Sequence, residues 1–93
     1  MTTVTIQIGN SDDKLTQAEW SKYVSRVDAA VRRRAPEVHF FGGSPNWYPW
    51  QNATWVIAAD SGTLARLPLT LTEIRKEFNQ DSIAWTKGET AFI

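Results

Sequence analysis

Apolar and polar residues alternate near the start of the chain. Val4, Ile6 and Ile8 are separated by single polar residues, and this period of two is typical of a strand with one buried face. Residues 9–13 are small or polar and predict the end of that strand. The chain therefore opens with a predicted half-buried strand.

The next segment has the signals of a helix. Thr16 and Glu19 have the spacing of a capping box, in which each side chain binds the other residue's backbone N–H. Apolar residues then recur at helical spacing from Trp20 to Val31. Three arginines, 32–34, suit the carboxyl end of a helix, and Pro36 predicts its termination.

Two further strands are predicted at Val38–Phe41 and Ala53–Ala59, followed by a turn at 60–62. Residues 63–67 are ambiguous, and Pro68 predicts a break after them. Thr70 and Glu73 repeat the capping-box spacing, so a short second helix is predicted at Leu71–Asn79. A fourth strand is predicted at Ser82–Thr86, and a turn at 87–88.

The predicted order is β-α-β-β-α-β. With right-handed crossovers, this order favours a ferredoxin-like split arrangement: a four-stranded antiparallel sheet with two helices on one face. A chain of 93 residues has room for one hydrophobic core, so residues 1–93 are expected to form a single α+β domain.

Composition excludes several function classes. Ten basic residues balance ten acidic ones, so nucleic-acid binding is not expected. The chain has no cysteine, which excludes disulfides and thiolate chemistry. It shows no signal-peptide pattern, and its longest apolar run, 55–59, is too short to cross a membrane. We expect a cytoplasmic protein without a cofactor.

The most unusual segment is the connection from Gly42 to Asn52. Three of the five tryptophans fall within residues 46–55. Trp55 is in strand phase with Ile57 and is expected in the core. The other aromatic residues either close over the core as a lid or are exposed for a partner. The predicted partner-binding set is Asn46, Trp47, Tyr48, Trp50 and Gln51.

The second strand adds Phe41 to this predicted surface. If Val38 and Phe40 point into the core, Phe41 points outward, and Val56 shares its face. Such an apolar patch on the open sheet face would suit a partner or a homodimer.

The loop after the first strand is a second candidate site. Asn10, Asp12 and Asp13 could give polar contacts to a ligand, and paired carboxylates can hold magnesium. Negative charge before a helix is also favourable without any ligand, and no metal site is predicted. Catalysis would require His39, the only histidine, to meet Asp12 or Asp13. We therefore predict a protein that is not an enzyme.

One further motif is Ile6-Gln7-Ile8-Gly9-Asn10-Ser11-Asp12-Asp13-Lys14-Leu15-Thr16-Gln17 with Trp20. With this motif, and through residues 38–40, 49–55 and 80–84, the sequence resembles a group of small, mostly uncharacterised proteins of actinobacteria and their bacteriophages. The resemblance spans nearly the whole chain and transfers no catalytic residue. It implies a short accessory protein that binds a host or bacterial protein, for example in growth, division, transcription or defence.

Two function classes follow. The first is a non-enzymatic protein that engages a host or bacterial protein through the aromatic loop. The second is a small-molecule or nucleotide-binding domain in which the same loop closes over a flat ligand.

Overall fold

The strands and helices follow one another in the predicted order, β-α-β-β-α-β. The computed structural model describes residues 2–10, 12, 14–45 and 50–93. Its elements are β1 (Thr2–Gly9), α1 (Gln17–Arg34), β2 (Glu37–Gly43), β3 (Asn52–Ala59), α2 (Ser61–Glu77) and β4 (Ala84–Glu89). The strands form one antiparallel sheet in the order β2-β3-β1-β4. The ferredoxin-like α+β fold is confirmed.

The core lies between one face of this sheet and both helices. Val4, Ile6 and Ile8 of β1 are buried, as the alternation predicts. Trp55 and Ile57 of β3 share their face and are fully buried. The helices cover it with Trp20, Tyr23, Val27, Ala30 and Val31 of α1 and with Leu67, Leu71 and Ile74 of α2.

Helix α1 begins as the sequence predicts. The Glu19 backbone N–H donates to the Thr16 hydroxyl at 3.2 Å. In return, the Thr16 backbone N–H donates to the Glu19 carboxylate at 3.0 Å. This reciprocal pair satisfies two backbone donors at the helix start, and it confirms the capping box.

The predicted start of α2 is wrong. The helix begins at Ser61, and Asp60 is its N-cap, with the Asp60 carboxylate accepting the Thr63 N–H at 2.8 Å. Thr70 and Glu73 therefore lie inside the helix, and the predicted turn at 60–62 is its cap and first turn.

Pro68 does not interrupt α2, although the sequence predicts that it does. The missing N–H leaves the Leu64 carbonyl without its helical donor. The helix continues because apolar residues on both sides of the proline, Leu67, Leu71 and Ile74, are buried against the sheet. Tertiary packing offsets the local cost.

Strand β2 contains a bulge that reverses the predicted directions of its two phenylalanines. The register shifts between Val38, which pairs with Ile57, and Phe40, which pairs with Val56. Phe41 then pairs with the core residue Trp55. The extra residue changes the phase of the strand, so Phe41 lies on the helix side and Phe40 on the other.

Strand β4 extends to Glu89, so the predicted turn at 87–88 is part of the strand.

The sheet face away from the helices is called the open face here. Cross-strand pairing assigns to the open face Thr3, Thr5, Gln7, Gly9, Glu37, Phe40, Gly42, Asn52, Thr54, Val56, Ala58, Ala84, Thr86 and Gly88.

Candidate functional site

The aromatic segment leaves the sheet at the end of the β2–β3 hairpin. The Ser44 N–H donates to the Asn52 carbonyl at 3.0 Å, and the Asn52 N–H donates to the Ser44 hydroxyl at 2.9 Å. These bonds close the base of the connection on a firm pair of strands. Asn46, Trp47 and Tyr48 lie outside the described residues, so their predicted role stays a prediction.

Trp50, the described aromatic residue of the connection, is exposed. Its side chain is 67% accessible. A large apolar surface open to water costs free energy that a partner can recover. This exposure is what the partner-binding hypothesis requires of Trp50.

Phe41 lies near the same end of the hairpin, on the helix side, and is partly exposed. Its ring stacks on Trp55 with centroids 5.1 Å apart and an interplanar angle of 33°. One face of the Phe41 ring is therefore held by a core residue, while 43% of the residue remains accessible. An aromatic side chain that is already positioned loses little freedom on binding a partner.

Trp55 gives Phe41 a fixed support. Trp55 is fully buried, as the strand phase predicts. Its indole N–H donates to the Asp28 carboxylate of α1 at 2.9 Å. The same carboxylate accepts from the Arg32 Nε at 3.0 and 3.1 Å. Asp28 was not among the predicted site residues, because helical spacing alone does not show that it faces a buried indole.

A small cleft adjoins the Phe41 ring. It has a volume of about 230 Å³ and separates α1 from the ends of β2 and β3. Trp20 and Val24 form its helix wall, and Gly42, Gly43, Ser44, Asn52 and Ala53 complete it with Phe41. A single side chain of a partner would fit there, whereas ligand pockets usually have about 300–1,000 Å³.

Gln51 is not exposed for a partner, contrary to the prediction. It is only 3% accessible. Its amide pairs reciprocally with that of Gln17: Gln51 Nε2 donates at 2.8 Å and accepts at Oε1 from Gln17 Nε2 at 3.2 Å. Gln51 therefore ties the end of the aromatic connection to the start of α1.

Asn10 likewise has a structural role that the sequence analysis did not predict. It is 2% accessible, and its side chain binds both backbone groups of Leu15, each at 3.0 Å. Its backbone N–H donates to the Gln51 carbonyl at 2.8 Å. These bonds use the amide that the prediction assigned to a ligand, and they hold the β1–α1 connection in place.

Asp12 lies at the other edge of the sheet. Lys14 Nζ is 3.6 Å from the Asp12 carboxylate and 3.3 Å from that of Asp81. The hydrogen bond to Asp81, with its charge, raises the pKa of Lys14. All three side chains are substantially exposed, so the pairs contribute little stability. Asp13 lies outside the described residues.

Of the groups that the enzyme alternative requires, the two that the structure describes, His39 and Asp12, do not meet. His39 is on the edge strand β2, while Asp12 lines a shallow pocket with Asp81 and Ala84 beside the opposite edge strand, β4. His39 has the Glu37 carboxylate 4.0 Å from its Nδ1. Within the part of the chain that the structure describes, no group of three or more acidic or histidine side chains could hold a metal ion.

The arginines at the end of α1 do not form a basic surface. Arg33 and Arg34 line a groove of about 310 Å³ between the helices, together with Arg26, Glu73 and Glu77. The two acidic residues offset part of the charge of the three arginines, and Arg26 is paired with Glu77. This arrangement does not favour phosphate binding.

Comparisons with known proteins show the fold. No family model and no curated protein matches the chain. Among solved structures, the de novo designed protein Foldit4 is similar over 97% of this chain and 98% of its own, with 18% identity and a TM-score of 0.66. A dimeric ferredoxin-like protein from an uncultured marine organism has 10% identity, covers 99% of this chain and 90% of its own, and gives a TM-score of 0.41.

None of the helices within the described ranges is long and apolar enough to cross a membrane.

Proposed function

We propose that this protein is a non-enzymatic binding module that engages another protein with the end of its β2–β3 hairpin. The observation that carries the proposal is the exposure of Trp50 and Phe41 near that end, next to a small cleft of mixed polarity. Large aromatic residues held in place are the residues that most often dominate protein interfaces.

A protein partner suits this surface better than a metabolite. The cleft is small, and the nearby amides of Asn10 and Gln51 are engaged inside the protein. A flat ligand would therefore find few free polar groups there to orient it. Trp47, Tyr48 and Asn46 are proposed to extend the surface, and the resemblance noted above favours a bacterial or host protein as the partner.

The test is quantitative affinity capture from actinobacterial lysate with immobilised wild type and variants. We expect Trp50→Ala to reduce the amount of a specifically captured protein by about tenfold, and W47A/W50A to abolish capture. The melting temperature of W50A should stay within about 2 °C of wild type, because substitutions of exposed residues change stability little.

Leu69→Ala is the matched control. Leu69 is 68% accessible, nearly the same fraction as Trp50, but it lies on α2. L69A should therefore retain capture, since it removes exposed apolar surface elsewhere. The proposal fails if wild type captures no protein specifically, if L69A loses capture to the same extent, or if W50A unfolds the protein in proportion to the lost binding.

A further inference from the structure

The open face is almost without charge. Charged residues make up 22% of the chain. Among the described open-face positions that pair with a neighbouring strand, however, only Glu37 is charged, and it lies in the outermost row, where β2 begins, with His39 Nδ1 4.0 Å from its carboxylate. At the opposite edge, Asp12 and Asp81 line a shallow pocket with Gln7, Gly9 and Ala84, so charge borders the face there but is absent from its centre. A sheet face that remains in water normally alternates toward strongly polar or charged side chains. This face instead carries mainly hydroxyl, amide and small side chains, with Phe40 and Val56 as its large apolar residues.

The middle of the open face is a row of apolar and hydroxyl side chains. Cross-strand pairing aligns Phe40, Val56, Thr5 and Thr86 on successive strands across the whole sheet. Phe40 is 54% accessible, although it lies beside Val56. Threonine hydroxyls both donate and accept hydrogen bonds, so a row of them can pair with an identical row.

Phe40 gives the face a flat apolar end. A Cβ atom on Gly42 would lie 2.6 Å from Cζ of the Phe40 ring. The ring therefore lies over Gly42, and any larger residue at position 42 would displace it. A ring that lies flat on the sheet in this way can pack against another flat surface, whereas it would not fill a pocket of a partner.

We propose that a second copy of this chain packs on the open face, sheet against sheet, around a two-fold axis near Thr5. The centre of the face is uncharged, so it offers no countercharge to a charged partner. A second copy brings an equally uncharged centre, and no charge would have to be buried there. A two-fold axis brings the same patch of both copies together, as self-complementary rows require.

The area of the face is that of a small interface. Four strands about 4.8 Å apart and about seven residues long cover roughly 19 by 23 Å, or about 440 Å² in each copy. Side chains that rise from the sheet increase the accessible area, so the total is close to the roughly 1,000 Å² of weak specific interfaces. Area does not determine affinity, so the experiment below should cover dissociation constants from roughly 1 μM to 1 mM.

Sedimentation equilibrium over a wide range of protein concentration tests the proposal. Two variants introduce opposite charges at the central position, Thr5. Wild type should pass from monomer to dimer as concentration rises. Thr5→Lys and Thr5→Glu should each stay monomeric, because the two-fold axis places like charges together. An equimolar mixture of the two variants should form a heterodimer, which neither a folding defect nor contact between sheet edges would produce.

Ser25→Lys, an exposed position on α1, is the matched control and should dimerise as wild type does. If T5K does not fold, Thr86→Lys on edge strand β4 replaces it, since lysine is well tolerated on edges. The proposal is overturned if wild type is monomeric at all concentrations, if the folded lysine variant still dimerises, or if T5K and T5E do not associate.

Discussion

Tyr23 combines complete burial with an unpaired hydroxyl. It is 0% accessible, and among the described residues its hydroxyl has no hydrogen-bond partner. Its ring packs between Trp20, at 6.2 Å between centroids, and Phe78, at 5.1 Å. The ring thus stabilises the core, whereas the hydroxyl has lost its water contacts without replacement.

Replacement of Tyr23 by phenylalanine should stabilise the protein. Removal of an unpaired buried hydroxyl, with the ring retained, should raise the free energy of unfolding at pH 7 by about 1 kcal/mol. The measurement is urea denaturation followed by circular dichroism. A less stable Y23F would mean that the hydroxyl is paired in solution.

The same variant should change the response to alkaline pH. Burial raises the pKa of Tyr23 to about 12, against about 10 in the unfolded chain. Between these values the unfolded chain loses its proton first, so wild-type stability falls as pH rises, by up to about 1.4 kcal/mol per pH unit. Y23F lacks this loss, and its advantage should therefore widen from pH 9 to 11. A constant difference would contradict the assigned pKa.

Single residues also show where sequence reasoning stops. The phase of Trp55 predicts its burial, because alternation is local to the strand. The burial of Asn10 depends on the backbone of Leu15, and that of Gln51 on Gln17 in a distant element. Such partners become visible only after the chain has folded, so both residues are predicted with free amides.

At the scale of elements, the two helices show why one cap is predictable and the other is not. Thr16 precedes the first buried turn of α1, so motif and burial agree. In α2, buried residues continue on the amino side of Thr70, and Leu67 is fully buried. The helix follows this apolar stripe to Asp60, whereas the capping-box spacing at Thr70 and Glu73 has no structural role as a cap.

Pro68→Ala should stabilise α2. Alanine restores an N–H that can donate to the Leu64 carbonyl, and it is the better helix former. Some contact is lost, because Pro68 lines an apolar groove with Leu71, Ile83 and Trp85. We expect a net gain of about 1 kcal/mol in the free energy of unfolding, measured by urea denaturation.

Thr70→Ala tests the corrected helix start in the same assay. Replacing an N-cap threonine by alanine lowers the free energy of unfolding by about 1 kcal/mol, whereas the same replacement inside a helix lowers it little or not at all. T70A should therefore be neutral or slightly stabilising. A loss near 1 kcal/mol in T70A, or a P68A variant less stable than wild type, would contradict a continuous α2.

The β-bulge shows that a local sequence pattern can also fail to predict which face of a strand a residue lies on. Residues 38–41 read as a regular strand, and their alternation predicts that Phe41 points outward. Where an extra residue is inserted depends on the partner strand β3, which the local pattern does not contain. One shift exchanges Phe40 and Phe41 between the two faces, and it assigns each to a different proposed surface.

At the scale of the whole molecule, the fold is more predictable than either surface. The order of elements and the spacing of apolar residues suffice for the ferredoxin-like arrangement, because few topologies satisfy both. The molecule is thin, with principal extents of 38, 29 and 19 Å, as expected for one sheet covered by one helix layer. Two layers leave the second sheet face exposed. That its strand positions carry few charges becomes evident only from the strand register.

The two proposed surfaces lie on different sides of the sheet, so they should act independently. Phe41 and the α1 wall of its cleft are on the helix side, and only Gly42 and Asn52, at the end of the hairpin, border both surfaces. Thr5 is at the centre of the open face. Substitutions at separated sites usually act additively. T5K should therefore remain monomeric yet capture the same partner as wild type, and W50A should lose capture yet dimerise normally. Both variants would be measured in the capture and sedimentation assays described above. If T5K also abolished capture, the partner would recognise the dimer or bind the open face itself, and the two surfaces would be one site.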